Sequence, residues 1–576
     1  MEFRKSRKSD IKEIINIIEE AQSYFKANGI DQWQNGYPNS DTIYDDIKNN
    51  SSYVLEDESK IVATAMLSFE EDKTYKNIYE GVGVMKHRNL MIVGTSSGAG
   101  KSITVTGLCR IFYNDGYSVA PFKSQNMALN SFITKDGDEM GRAQVVQAMA
   151  GKIEPQAFMN PILLKPTTAK KIQVIVNGKS IGNMSGLEYG KFKLTLKPEI
   201  MKSYNKIKEN FDICIIEGAG SPVEINIKEE DIANMGMAAM ADAPVILVAD
   251  IDRGGVFASV YGTIMLMTPE ERARVKGVII NKFRGDVEIL KPGLKKLEEL
   301  TGVPIVGVLP YSDVDIEDED SLTDKFKKSK NTKGIKVSVI KLKHISNFTD
   351  LDALGIQEDV NINYVTSAEE LGDEDIIVIP GSKNTIDDLK DLKDRGIAVE
   401  IIKASRKGTV IIGICGGFQM LGERVKDPYG IESDIKEIPG LGILDMETIM
   451  EKEKNTTQYS GELKNTTGII SGLDGTKIKG YEIHQGVTAG NERAVTKDDH
   501  TVAVVKDNIF GTYLHGIFDN EEVTRNILNK IRERKGLEKM EAGITFDEYR
   551  EQEFDKLEKI FRENLDMKKI YEILGE

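Results

Sequence analysis

A lone thiol set among glycines, and a lysine–serine pair closing a glycine-rich loop, are the two places where residue type and spacing could do chemistry. The thiol is Cys415, in Val410-Ile-Ile-Gly413-Ile-Cys415-Gly416-Gly417-Phe-Gln419-Met-Leu-Gly422. An apolar run before it and glycines in G-x-C-x-G spacing predict a strand, a sharp strained turn and a helix N-terminus. That arrangement exposes a nucleophile and lowers a thiol's pKa. Cys109 and Cys214 lack such glycines and read as buried small hydrophobes. The three cysteines lie far apart with no CxxC pair, which indicates neither a zinc site nor a disulfide framework. A thiolate nucleophile needs a base, and of the five histidines His515 is best placed, in Gly511-Thr-Tyr-Leu514-His515-Gly516, directly after a strand-like run. His87 and His500 read as solvated, and His344 and His484 as structural or substrate contacts.

The second place is Asn89-Leu-Met-Ile-Val-Gly94-Thr95-Ser-Ser-Gly98-Ala-Gly100-Lys101-Ser102. A short strand would deliver a loop whose glycines turn backbone N–H groups inward, and the following helix would offer its positive end to an anion. Lys101 would neutralise phosphate charge and the Ser102 hydroxyl would ligate Mg²⁺. Glu217, in the turn Glu217-Gly-Ala-Gly220 after another apolar run, is the candidate second Mg²⁺ ligand. The loop departs from G-x-x-x-x-G-K-[ST], which needs glycine where Thr95 stands; here the glycine is Gly94. It resembles instead the loop of the dethiobiotin synthetase superfamily, which implies ATP bound by Gly94, Thr95, Gly98, Gly100, Lys101 and Ser102 for activation of a carboxyl group.

Elements must position both centres. A chain of 576 residues exceeds one core. Strand-like runs at Leu90–Val93, Ser118–Phe122, Asp212–Glu217, Pro244–Ala249, Gly277–Asn281 and Pro304–Leu309 alternate with helical patterns, predicting a parallel α/β sheet with ligands at the strands' carboxyl ends. A second α/β pattern follows at Ile335–Leu342, Ile376–Ile379, Val410–Ile414 and Ile509–Leu514. The expected division is a synthetase domain over 85–311, a charged linker over 312–334, a thiol domain over 335–535 and an amphipathic helical tail over 536–576. Residues 1–84 read as helix, helix and strands and resemble the first half of a GNAT-type N-acetyltransferase. The coenzyme-binding half is missing, so no acetyl transfer is expected and the segment reads as a packing module. No long uncharged apolar run exists, and the first residues are charged, so a cytoplasmic protein without a membrane partner is expected. A net charge of −16 argues against nucleic-acid binding. Homo-oligomerisation is left open.

The Cys415–His515 pair resembles the class I glutamine amidotransferases. The resemblance implies L-glutamine as nitrogen donor and an oxyanion hole of backbone N–H groups near Gly381, in Pro380-Gly381-Ser382-Lys383-Asn384-Thr385, and near Gly416. The usual class I glutamate two residues after the histidine is Ile517 here, and Asp519 has no claim on geometry, so the third catalytic member is missing or replaced. With the phrases PFKSQNMALNS, EMGRAQ, MNPILLKP, EGAGSPVEIN, PGSKNT, GYEIHQG and GTYLHGIFDN in this order, residues 86–575 resemble the cobyric acid synthase family. That resemblance implies a P-loop-type parallel α/β synthetase domain joined to a class I glutamine amidotransferase α/β domain. It also implies ATP, Mg²⁺ and glutamine, and a corrinoid substrate amidated at its b, d, e and g carboxylates. Cobyrinic acid a,c-diamide synthase shares both chemistries, and QNMALNS with GRAQ favours the former. A MinD-type ATPase switch would place a lysine early in the loop, and residues 89–100 contain none.

Overall fold

The computed structural model describes residues 2–27, 33, 36–57, 60–66, 87–168, 171–226, 228–316, 334–492, 494–496 and 501–575. The chain folds into two compact units, Met1–Lys86 and His87–Glu576.

In the first unit β1 (Glu2–Lys5), α1 (Ile11–Ala27), α2 (Ser40–Lys48), β2 (Ser52–Asp57) and β3 (Lys60–Met66) form a three-stranded antiparallel sheet with two helices. Ile14 and Ile18 of α1 close on Ile43, Val54 and Ile61. The first strand is absent from the sequence expectation, because four residues among charges show no alternation.

The second unit opens with a six-stranded sheet. Its strands are β4 (Arg88–Gly94), β5 (Val119–Phe122), β6 (Ile213–Glu217), β7 (Val245–Asp250), β8 (Val275–Phe283) and β9 (Ile305–Pro310), in the order β9-β8-β7-β4-β6-β5 and parallel throughout. All six runs read from the sequence form it. Strands buried on both faces read as continuous apolar runs, and Leu90, Met91, Ile92 and Val93 are fully buried. Helices α3 (Lys101–Asn114) and α4 (Arg142–Ala150) pack against each other and against β5.

A second six-stranded sheet holds β10 (Ile335–Ile340), β11 (Val360–Val365), β12 (Ile376–Ile379), β13 (Val410–Ile414), β14 (Ala503–Lys506) and β15 (Ile509–Thr512), in the order β11-β10-β12-β13-β15-β14. Only the β14–β15 edge pair is antiparallel. The sequence reading misses β11 and β14. It also misses a long hairpin, Met446–Glu462 against Lys477–Gly490, whose first arm carries Glu-Lys-Glu-Lys-Asn-Thr-Thr and shows little apolar alternation.

The two sheets and the tail belong to one unit, and the tail completes the first core. Helix α5 (Phe546–Asn564) lays Phe554, Leu557 and Phe561 against Leu108, Ile111 and Phe112 of α3. A Cβ on Gly107 would stand 2.5 Å from the Phe561 ring, so glycine there sets the helix approach. The tail is two helices: it breaks at Leu565, which bridges to Gly307 of β9, and resumes as α6 (Met567–Leu574). Of the expected linker, residues 317–333 lie outside the described residues. Val314 and Ile316 pack on the same core, and the Asp315 N–H donates to Glu553 at 2.5 Å.

Candidate active site

The glycine-rich loop joins β4, central in its sheet, to the start of α3. Gly98 and Gly100 adopt φ of 72° and 106°, a region that disfavours side chains. At Gly100 an added Cβ would also lie 2.0 Å from Asn281 Nδ2. Gly94 has a separate reason to be glycine: a Cβ there would sit 3.1 Å from Lys101 Nζ. The irregular spacing thereby makes room for the lysine, which folds over the loop and donates to the carbonyls of Ser96 (3.1 Å) and Gly220 (3.0 Å). Thr95 anchors the loop to the neighbouring strand, its N–H donating to Val248 at 3.0 Å.

The two expected metal ligands meet. Ser102 Oγ donates to Glu217 Oε1 at 2.8 Å, at the end of β6. Lys123 Nζ lies 2.9 Å from the same oxygen and Gln147 Nε2, on α4, 2.5 Å from the other. Burial works against a charge on Glu217, but Lys123 and these hydrogen bonds outweigh it and hold the carboxyl below its ordinary range. A hydroxyl beside an ionised carboxylate is a hard-oxygen pair suited to Mg²⁺, which takes one or two protein oxygens and completes its shell with phosphate and water. The sequence reading includes Lys123 in a candidate-rich turn but gives neither it nor Gln147 a role at Glu217, because their convergence depends on how α4 crosses β6.

In the second sheet Cys415 stands between β13 and the short helix α7 (Gly416–Leu421). Its φ of 51° and ψ of −107° are the strain that a nucleophile turn stores. The glycines are required by contact: a Cβ on Gly417 would meet the Ile379 carbonyl at 1.9 Å, and one on Gly413 the Gly417 carbonyl at 2.8 Å. The thiol is buried and lies 3.6 Å from the Ile483 carbonyl.

His515 follows β15, fully buried, with its backbone paired to Tyr481 and its ring stacked on that tyrosine at 5.3 Å. Its Nδ1 lies 2.6 Å from Asp350 Oδ2, while Asp350 Oδ1 accepts the Gly516 N–H at 3.0 Å. Burial disfavours the imidazolium, but the Asp350 carboxylate, with the Cys415 sulfur, overrides it and raises the pKa to about 10. The other ring nitrogen, Nε2, is buried and has no hydrogen-bond partner among the described residues. The ring is therefore oriented through Nδ1 and held as the imidazolium, with Nε2 left to hand its proton to the reacting group and take one back. Asp350 is the carboxylate that partners the imidazole where the sequence offered no third member. It sits in a one-turn helix, Phe348–Leu351, in the loop that follows β10, and no local feature of the sequence marks it.

Gly381 and Gly416 border this pair. A Cβ on Gly381 would lie 3.3 Å from His515 Cε1, and one on Gly416 2.8 Å from the Ser382 N. His344 buttresses the same loop: its Nδ1 lies 2.9 Å from Asp388, which also accepts from Ser382 Oγ at 2.6 Å. His484 is tied to Glu482 at 3.0 Å and stacked on Tyr513. The expectation of a solvated His87 fails, since its Nδ1 bonds the Phe211 carbonyl at 2.9 Å; His500 lies outside the described residues. Cys109 and Cys214 are fully buried, and burial raises both thiols.

The nucleotide half contributes a side chain to the thiol centre. A cavity of about 40 Å³ holds Cys415, His515, Ser382 and Lys454 of the amidotransferase-like half together with Lys165 from the half that carries the phosphate loop. Lys165 and Lys454 grip opposite oxygens of Glu139 at 2.8 and 2.6 Å. Despite its burial, Glu139 is held well below the usual carboxylate range by these lysines. Breaking such a buried network is costly, so it binds the halves in one geometry.

The CobQ/CobB/MinD/ParA nucleotide binding domain family matches residues 90–322, and the CobB/CobQ-like glutamine amidotransferase domain family matches residues 336–523. A cobyric acid synthase of Clostridium botulinum (strain Langeland / NCTC 10281 / Type F) is 52% identical over 498 residues, covering 84% of this chain and 99% of that protein. Those of Lachnoclostridium phytofermentans and Alkaliphilus metalliredigens are 52% identical over 512 and 500 residues, covering 85% and 84% of this chain and 99% of each relative. No described helix is long and apolar enough to cross a membrane. A phosphate loop, a thiol–imidazole pair and two matched domains in one order, at such identity over nearly the whole length of these relatives, mean that the chain belongs to the cobyric acid synthase family.

Proposed function

We propose that this protein is a glutamine-hydrolysing amide ligase of cobalamin biosynthesis that converts the b, d, e and g carboxylates of adenosylcobyrinic acid a,c-diamide to amides, giving adenosylcobyric acid. The observation that carries the reading is the cavity at Cys415, walled in part by Lys165 of the nucleotide half. Nitrogen released there is released beside a residue of the nucleotide half. The Cys415 thiolate attacks the glutamine carboxamide carbon. N–H groups near Gly381 and Gly416 receive the oxyanion, and His515 gives its proton to the departing ammonia. The C–N bond breaks, a γ-glutamyl thioester forms, and water deprotonated by His515 then releases glutamate. In the other half a corrin carboxylate oxygen attacks the ATP γ-phosphorus and ADP leaves. Ammonia displaces phosphate from the resulting acyl phosphate to form the amide. Lys101 lies where it can share the transferring charge. Ser102 and Glu217 would hold Mg²⁺, which neutralises phosphate charge when bound.

The enzyme is assigned to the cytoplasm, and residues 1–84 to a GNAT-like packing module. The test is to incubate the protein with glutamine, MgATP and either the a,c-diamide or cobyrinic acid, and to follow conversion of carboxylate to amide by mass spectrometry. Four amidations of the a,c-diamide are expected. Amidation of cobyrinic acid alone would transfer the assignment to a,c-diamide synthesis, and no amide with either would end the reading.

A further inference from the structure

The turn that carries Asp350 is held from the nucleotide half. The Phe348 N–H, at the start of that turn, donates to Asn130 Oδ1 at 3.2 Å. The neighbouring Ser131 N–H donates to Asn347 Oδ1 at 3.1 Å. Asn347 caps the turn from a left-handed conformation (φ 51°) and donates to the Tyr481 hydroxyl at 3.2 Å, which itself donates to the Ser131 carbonyl at 3.0 Å. Tyr481 is the residue whose ring stacks on His515. Two contacts that orient the imidazole, the Asp350 carboxylate and the Tyr481 ring, thus connect to Asn130 and Ser131.

Asn130 is itself immobilised. It is 1% exposed, and its carbonyl accepts the Arg142 N–H at 3.2 Å, at the first residue of α4. That is the helix whose Gln147 holds Glu217 in the phosphate site. A buried residue that bonds one half through its side chain and the other through its backbone costs ordering entropy, and three bonds converging on one short turn, with a fourth bracing Tyr481, fix where its carboxylate points.

We propose that Asn130 is a positioning residue for glutamine hydrolysis: the nucleotide half sets the orientation of the Asp350–His515 pair, and the thiol centre is complete only when that half is docked. The inference rests on the functional reading above. It requires Asn130 to act through Asp350 and His515, without touching glutamine.

The experiment compares the full-length protein with Asn130→Ala and Asn130→Asp, which keeps an acceptor oxygen for Phe348. Glutamate release is measured across pH, and amide formation from ammonium chloride at one pH. Asn130→Ala is expected to lower kcat for glutamine by about tenfold to a hundredfold with little change in KM. It should move the alkaline limb of the rate profile to lower pH and leave ammonia-driven amidation at the wild-type rate. Asn130→Asp should recover most of the loss. If Asn130→Ala is insoluble, Asn347→Gly, which suits the left-handed backbone, removes the adjoining contact and should reproduce the same pattern. Equal loss with glutamine and ammonia, or an unmoved pH limb, would overturn the inference while the functional reading stands. A wild-type protein that releases no glutamate would remove both.

Discussion

Asp350 Oδ2 stands 2.6 Å from His515 Nδ1, although the two residues are 165 positions apart in the chain. The class I resemblance assigns that partnership to a residue two positions after the histidine. Ile517 occupies that place here and is fully buried. One hydrogen bond therefore replaces a local sequence feature with a long-range one, and restores a charged partner to the imidazole.

Replacing Asp350 with Asn should show this in the pH profile. His515 is raised to about 10 in the folded protein, against about 6.5 for a free imidazole. The stabilisation from its charged form is therefore complete below the free value and is lost as pH rises through about 10. Glutamine hydrolysis should stay active well into the alkaline range in the wild type. In Asp350→Asn the alkaline limb should move toward neutrality, with kcat lower by roughly 10²-fold or more. An unchanged limb would mean that Asp350 does not set the proton affinity of His515.

The phosphate centre should be separable in the opposite sense. Lys101→Met removes the cation folded over the loop. Amide formation from glutamine and from ammonia should both fall, by roughly 10²–10³-fold, while glutamate release measured without ATP persists. Retained amide formation would argue that the lysine takes no part in phosphoryl transfer.

The tail should behave as core. Phe561 is 2% exposed against α3, and truncating a buried phenylalanine to alanine costs about 3–5 kcal/mol. Denaturant unfolding of Phe561→Ala should show a loss of that size, whereas a surface substitution such as Lys568→Ala should shift stability by less than about 0.5 kcal/mol. Similar midpoints for the two variants would show that the tail is peripheral.

Residues 1–86 form their own compact unit. A protein starting at His87 should keep glutamine-driven amidation close to the full-length rate. A folded truncation without activity would give the first unit a role in catalysis.

What could be read from the sequence follows burial. The strands of the first sheet are apolar on both faces, so Leu90–Val93 and Ile213–Ile216 stand out as uninterrupted runs, and glycines at 94, 100, 413 and 417 mark turns that only they fit. Ser102 and Glu217 are legible because one closes the glycine loop that leaves such a strand and the other ends such a strand. The hairpin from Met446 was not, since its arm alternates charges and hydroxyls and draws its order from pairing. Asp350, Lys165 and Asn130 acquire their roles only when distant segments meet. Local periodicity carries no information about such meetings, and a carboxylate in a loop looks the same whether it faces water or an imidazole.

The most direct test of two coupled centres in one chain is amide formation by Cys415→Ser with each nitrogen source. With the a,c-diamide and MgATP, the variant should form no amide from glutamine and should match the wild type with ammonium chloride. Equal loss with both sources, or undiminished use of glutamine, would contradict the account.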